Sequence, residues 1–237
     1  MRDSARDPSL SSGSPARERP PRPSPLREAF RLTPREQERF ERALAAIDSA
    51  NTGDPNWIWV RGRERPKELA HAELASEWIE HLRPHASLEL RLAARAHHVR
   101  RWEIARADFP ADRAGYLVWR RRLQEHHAEQ AGILLASQRY PEDTILRVQA
   151  LIRKRGLGFD AEVQTLEDAL CLIFLETQLG DLARRTSPQR MLEIIRQTLA
   201  KMSERAIELA ATLPYSSAER ELVEAARARI ETGPSRG

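Results

Sequence analysis

From Thr33 to Ile230 one pattern governs the chain: apolar residues return three or four positions apart in run after run, with no βαβ alternation. Such spacing draws an apolar stripe along one face of a helix, and a stripe must be buried against another. Only 10 glycines interrupt the 237 residues, and the strong helix formers Ala, Leu, Glu and Arg dominate. The expectation is an all-α protein, a bundle of about eight helices spanning 29–237.

Residues 1–28, rich in Ser, Pro and Arg, lack the period and hold too little apolar surface to offset ordering entropy, so a disordered tail is expected there. They contain no continuous apolar stretch of the kind a secretory signal needs. Asp3, Asp7, Glu18 and Glu28 are unusual for an organelle-targeting peptide. Order begins at Thr33-Pro34-Arg35-Glu36, a capping box with proline at the first helical position. Phe40, Ala43, Leu44 and Ile47 share a face until Asn51-Thr52-Gly53 stops the helix. Residues 54–66 read as an extended loop pinned by Trp57 and Trp59, with a short strand as the other reading. Helices follow over about 66–82, 87–102, 112–138, 141–154, 162–185, 188–212 and 216–230. The five tryptophans, spread among separate elements, read as core anchors.

The longest apolar run, Ala169 to Leu175, is far short of the roughly 20 residues that cross a bilayer. No membrane partner is expected, and a cytoplasmic location is. Cys171, the only cysteine, lies in that run and reads as a small buried hydrophobe. The net charge of +4 is nearly all arginine. Arg/Glu alternation on solvated faces explains most of it, with nucleic-acid contact as the alternative.

Chemistry concentrates in the seven histidines. His81 and His85 flank a helix end and are expected in solvent. His71, His97-His98 and His126-His127 fall on three successive helices, and Asp168 on the most apolar one. Imidazole with a carboxylate suits Zn, Mn, Fe or Ni, and bundle cores build such sites from facing helices. Asp168 has a second reading, because Thr165-Leu-Glu-Asp168 is a capping pattern. Basic residues gather at Arg100-Arg101, Arg120-Arg121-Arg122 and Arg153-Lys154-Arg155, and the guanidinium fork suits phosphate. No glycine-rich phosphate loop, nucleophile elbow or Cys-x-x-Cys pair occurs.

The order His71, Leu92-Ala-Ala-Arg-Ala-His97-His98-Val and Asp168 resembles the HD superfamily of metal-dependent phosphohydrolases. There, a His from one helix, a His-Asp pair ending the next and a distant Asp hold the metal. His98 stands here where that family has Asp. His127-Ala-Glu-Gln-Ala-Gly-Ile-Leu-Leu resembles a further motif helix, and Arg153-Lys154-Arg155 falls where the family has another His. More closely, the chain resembles a bacterial and fungal family catalogued only as a domain of unknown function. That likeness rests on Asp54-Pro55-Asn56, His98-Val-Arg-Arg-Trp-Glu103, Asp112-Arg-Ala-Gly-Tyr116 and Gln164-Thr-Leu-Glu-Asp168. Some of its relatives carry a glutamyl-tRNA synthetase label. Lys201-Met-Ser-Glu-Arg205 does resemble a synthetase loop, but without a parallel α/β nucleotide fold it reads as helix surface.

These resemblances imply an HD-like bundle and a phosphohydrolase acting on a small phosphorylated compound, perhaps a nucleotide. A divalent metal would be held by His71, His97, His98 and Asp168, with His127 on a second metal or the substrate. Arg100, Arg101, Arg153 and Lys154 would meet phosphate, and Glu103 or Asp108 would carry the proton. The alternative is a non-catalytic helical module binding RNA or a nucleotide through the same basic groove.

Overall fold

The computed structural model describes residues 32–231; the tail expected at 1–28 lies outside them. The fold is all-α apart from one hairpin. In chain order it runs α1 (Pro34–Asn51), β1 (Trp57–Val60), β2 (Arg63–Pro66), α2 (Lys67–Leu82) and α3 (Leu88–Ala96). Then come α4 (Arg113–Ser137), α5 (Glu142–Ile152), α6 (Ala161–Thr177), α7 (Leu179–Ala183), α8 (Pro188–Leu199), α9 (Glu204–Ala211) and α10 (Ser217–Glu231). Two 3-10 turns, Arg101–Glu103 and Arg106–Asp108, bridge α3 and α4. No helix among the described residues is long and apolar enough to cross a membrane.

The described residues hold ten α-helices rather than about eight, because two long apolar runs break. Gln178 separates α6 from α7. Ser203 separates α8 from α9: its hydroxyl accepts from the Ala206 amide and so starts a new helix where the period predicts one continuous helix. Lys201-Met-Ser-Glu-Arg205 is therefore an inter-helix turn and helix start, not an uninterrupted helix surface. The capping box at Thr33 and Glu36 forms as its spacing requires.

Residues 57–66 pair as an antiparallel hairpin with Trp57 opposite Pro66 and Val60 opposite Arg63. Alternation turns Ile58 and Val60 inward and leaves Trp57 and Trp59 at 59% and 71% exposure. These two tryptophans are not the core anchors the sequence suggests. The hairpin is tied down by polar contacts instead: Arg61 pairs with Glu77 and Glu176, and Trp78 donates its indole N–H to Glu176 (3.0 Å).

Two apolar clusters share α6. Val163, Leu166, Ala169 and Ile173 pack with α1 to α5, while Cys171, Leu172 and Leu175 pack with α7 to α10. The helix that is apolar all round is thus the spine between the two halves of the bundle.

Candidate metal centre and basic cavity

Asp54 sets the start of α2. One carboxylate oxygen accepts from the Glu68 amide (2.9 Å), and the other accepts from the backbone and side-chain N–H groups of Asn56 (2.9 and 2.8 Å). Asp54-Pro55-Asn56 thereby fixes the first turn of α2, where Glu68 lies one turn before His71. α3 ends at His97, and the chain turns sharply at Arg100, whose φ of 55° is left-handed and whose amide donates to Asn51 (3.3 Å). That turn carries His97, His98 and Arg101 back against α2 and α4.

Glu68, His71 and His98 form a group whose donor atoms all lie within 4.8 Å of one another, a set able to hold a metal ion. Glu68 Oε2 is 3.4 Å from His71 Nδ1 and 3.1 Å from His98 Nδ1. Ligand atoms at about 2.1 Å from one ion stand roughly 3.0–3.4 Å apart when the bonds open by 90–109°, so the two separations from Glu68 match those around a shared cation. Hydrogen bonding at His71 points the same way. Thr177 commits its only hydroxyl proton to the Ile173 carbonyl (2.7 Å), so its oxygen accepts from His71 Nε2 (3.3 Å). That leaves Nδ1 as the ring nitrogen that faces the Glu68 oxygen.

Burial opposes the Glu68 charge, but His98 and His71 more than offset it and hold the carboxyl well below the usual range. Arg101 adds a cation 3.6 Å from the other oxygen. Burial, reinforced by neighbouring His97, pushes His98 well below the ordinary imidazole value, and burial takes His97 to about 4 and His127 to about 3. These shifts favour an ionised Glu68 beside neutral rings at His97, His98 and His127, the protonation a metal site needs.

His97 and His127 flank the group. His97 Nδ1 donates to the Ala94 carbonyl (2.7 Å) and His127 Nδ1 to the Val99 carbonyl (3.0 Å), since a carbonyl can only accept. Each ring therefore keeps its Nε2 lone pair, and that of His127 is buried without a partner. Their rings lie 4.2 and 5.3 Å from that of His98, centroid to centroid.

All five residues line one cavity of about 520 Å³, walled by α2, α4, α6 and α8. Lys67, Arg101, Arg120, Lys154, Arg190 and Lys201 also line it, against two carboxylates, Glu68 and Glu167. Glu167 is buried and pairs with Lys154 and, at 3.9 Å, with Lys201. Cys171 lies on the wall, where burial raises its thiol to about 12 and disfavours the thiolate at neutral pH.

Of the residues the sequence singles out, His71, His97, His98, His127, Arg101 and Lys154 line this cavity. Asp168 is corrected: it is absent from the group because Ser203 donates to both its oxygens (2.9 and 2.6 Å) and Gln164 to one (2.9 Å). Its work is to join α6 to the start of α9, across the chain rather than in the first turn of its own helix. Glu103 and Asp108 stay exposed outside the cavity, Glu103 beside His126 (3.4 Å). Arg100 turns to Gln130 (3.1 Å) and Arg153 to Glu125 (2.6 Å). His126 is spent on the Arg100 carbonyl (3.1 Å), and His81 and His85 are exposed. Sequence reasoning missed Glu68, although Glu68-x-x-His71 is the helical spacing that puts both donors on one face. It also missed Glu167 and Lys201, which carry no local signal.

No curated protein and no solved structure matches the chain. A family model described as a domain of unknown function, DUF4202, matches residues 41–223, a span that includes every residue of the metal group and the whole wall of the cavity, and the chain belongs to that family.

Proposed function

We propose that the protein is a metal-dependent hydrolase of small phosphorylated compounds. The observation that carries this reading is one cavity holding both a metal-capable Glu68, His71 and His98 group and a wall of six Lys and Arg side chains. Neutral imidazoles and one carboxylate suit Zn, Mn, Fe or Ni. When bound there, such an ion supplies Lewis acidity and a water of lowered pKa. Glu68 places its charge between the imidazoles, and Arg101, within 3.6 Å of Glu68 and stacked 5.1 Å from the Trp119 ring, stands ready for a phosphoryl oxygen. His127 offers a fixed acceptor to a ligand hydroxyl or to a cation. The order of His71 and His97-His98 along the chain resembles the HD phosphohydrolases and supports the same reading.

The test is metal content after loading with each ion in turn, together with phosphate release from a panel of phosphate monoesters that includes nucleotides. About one ion per chain is expected, with at least about ten-fold weaker loading in Glu68→Gln and His98→Ala and a parallel loss of turnover. Equal loading of wild type and variants overturns the metal group. Loading without hydrolysis of any ester favours the non-catalytic binding module.

A further inference from the structure

We propose that the ligand is a short single-stranded oligonucleotide, its terminal phosphate in the basic cavity and its following nucleotides lying across Tyr116 toward Arg113. The proposal rests on the phosphohydrolase reading for the fate of the terminal phosphate. The place of the other nucleotides is argued from a second cavity.

That cavity measures about 610 Å³. Tyr116 of α4 and Arg190 and Gln197 of α8 line both it and the first. Helix α4 gives the two an order. Of the pair, Arg113 lines the second alone, Tyr116 lines both, and Arg120 lines the first alone. Steps of three and four residues place all three on one face, over roughly 10 Å of axis. A path of contacts runs in the same direction. Arg101, 3.6 Å from Glu68, lies 5.1 Å from the Trp119 ring centre, and Arg106, on the second cavity, lies 5.9 Å from the same ring.

Asp112-Arg-Ala-Gly-Tyr116 shapes the second cavity. Asp112, its only carboxylate, caps α4 by accepting from the Gly115 amide (2.7 Å). A Cβ at Gly115 would collide with the Pro110 carbonyl, so glycine lets the preceding loop close onto the helix. Arg106 is held in place by donating to the Phe109 and Pro110 carbonyls (2.9 and 2.7 Å). Arg106, Arg113 and Arg120 form no ion pair among the described residues.

Charge alone would suit any polyanion, and the ring narrows the class. Tyr116 is 45% exposed on the face it shares with two arginines. A strand of nucleotides alternates charge with flat apolar faces, and guanidiniums interleaved with an aromatic ring match that alternation. A face of roughly 10 Å spans the rise of about three stacked nucleotides.

Oligothymidylates of one to five nucleotides, with a hydrolysis-resistant methylenephosphonate at the 5′ end in one series and the 3′ end in another, test this by calorimetry on the full chain. In one series affinity is expected to rise at least about ten-fold from one to three nucleotides and then level off. Arg113 is exposed and lies outside the first cavity, so Arg113→Ala is expected to remove most of the rise at unchanged one-nucleotide affinity. Arg113→Lys should restore part of it. Tyr116→Phe should keep the rise and Tyr116→Leu lose it. No rise in either series, or a rise unchanged in Arg113→Ala, overturns the proposal. A rise that survives Tyr116→Leu also overturns it, since charge alone then defines the ligand. The two readings fail separately. A rise with no ester hydrolysed upholds the nucleic-acid subsite and sinks the hydrolase. Monoester hydrolysis with no rise does the reverse.

Discussion

The two sets of polar side chains on the cavity wall are built in opposite ways. In the histidine set, the side chains of Glu68 and His71 are 4% and 2% exposed, and main-chain carbonyls fix the neighbouring rings. In the lysine set, the side chains of Lys154 and Lys201 are 19% and 55% exposed and pair with Glu167. The first set belongs to the apolar cluster of α1 to α6, where six elements pack together, and the second to the turns after α5 and α8. A metal demands directed donors at fixed separations, whereas an anion can be held by charge alone. Burial and main-chain anchoring are found where directed donors are needed, and exposure where charge suffices.

Asp168 provides the largest test of this contrast. Asp168→Ala strips the Ser203 hydroxyl and amide of their acceptor and is expected to destabilise the fold by about 1–3 kcal/mol in denaturant unfolding. Metal content should remain at the wild-type level. Loss of metal in this variant at a temperature where it is fully folded would break the assignment of Asp168 to the tie between α6 and α9.

Asp160 tests how the start of α6 is braced. It caps α6 and pairs with Arg147, whose hydrogen bonds, against a smaller opposing effect of burial, lower its carboxyl to about 2. A carboxyl depressed on folding stabilises fully above its ordinary value, and that contribution disappears as pH falls through about 2. Asp160→Asn keeps the cap and removes the charge. It should cost about 1 kcal/mol at neutral pH, an amount held down by solvent screening of the pair, and should flatten the stability curve between roughly pH 4 and pH 2. Thermal melts across that range check it. An unchanged acid slope would show that the pair contributes nothing.

Arg100 gives the smallest effect. Arg100→Gly relieves a left-handed backbone worth about 1 kcal/mol but gives up the Gln130 contact and adds chain entropy. The net change should stay within about 0.5 kcal/mol. Amide exchange at residues 97–101 should be unaltered, and faster exchange there would show that the arginine side chain, rather than the turn, holds the histidine set.

Helical periodicity made the class of fold legible, because a stripe of apolar residues reports burial directly. It could not show where a helix stops inside an apolar run. The breaks at Gln178 and Ser203 depend on contacts with distant residues, such as Asp168 with Ser203. The tryptophans of β1 misled because a large ring usually marks a core, whereas alternation in a two-stranded ribbon turns two of them outward. At the site, histidine is rare enough to stand out. Glu68 was hidden among many glutamates that serve solvated faces, and only the Asp54 cap and the facing imidazoles single it out. Asp168 looked like a ligand because a buried carboxylate needs a partner. The partner is a hydroxyl and an amide 35 residues away.

The carbonyls of Ala94, Val99 and Arg100 fix the orientation of three histidines, and no substitution can delete a carbonyl. Much of the site's alignment is therefore invisible to a scan that replaces side chains one at a time. Anyone transplanting this centre into another bundle must carry over the path of the chain from 94 to 101, since the residue list alone would leave the rings free to swing.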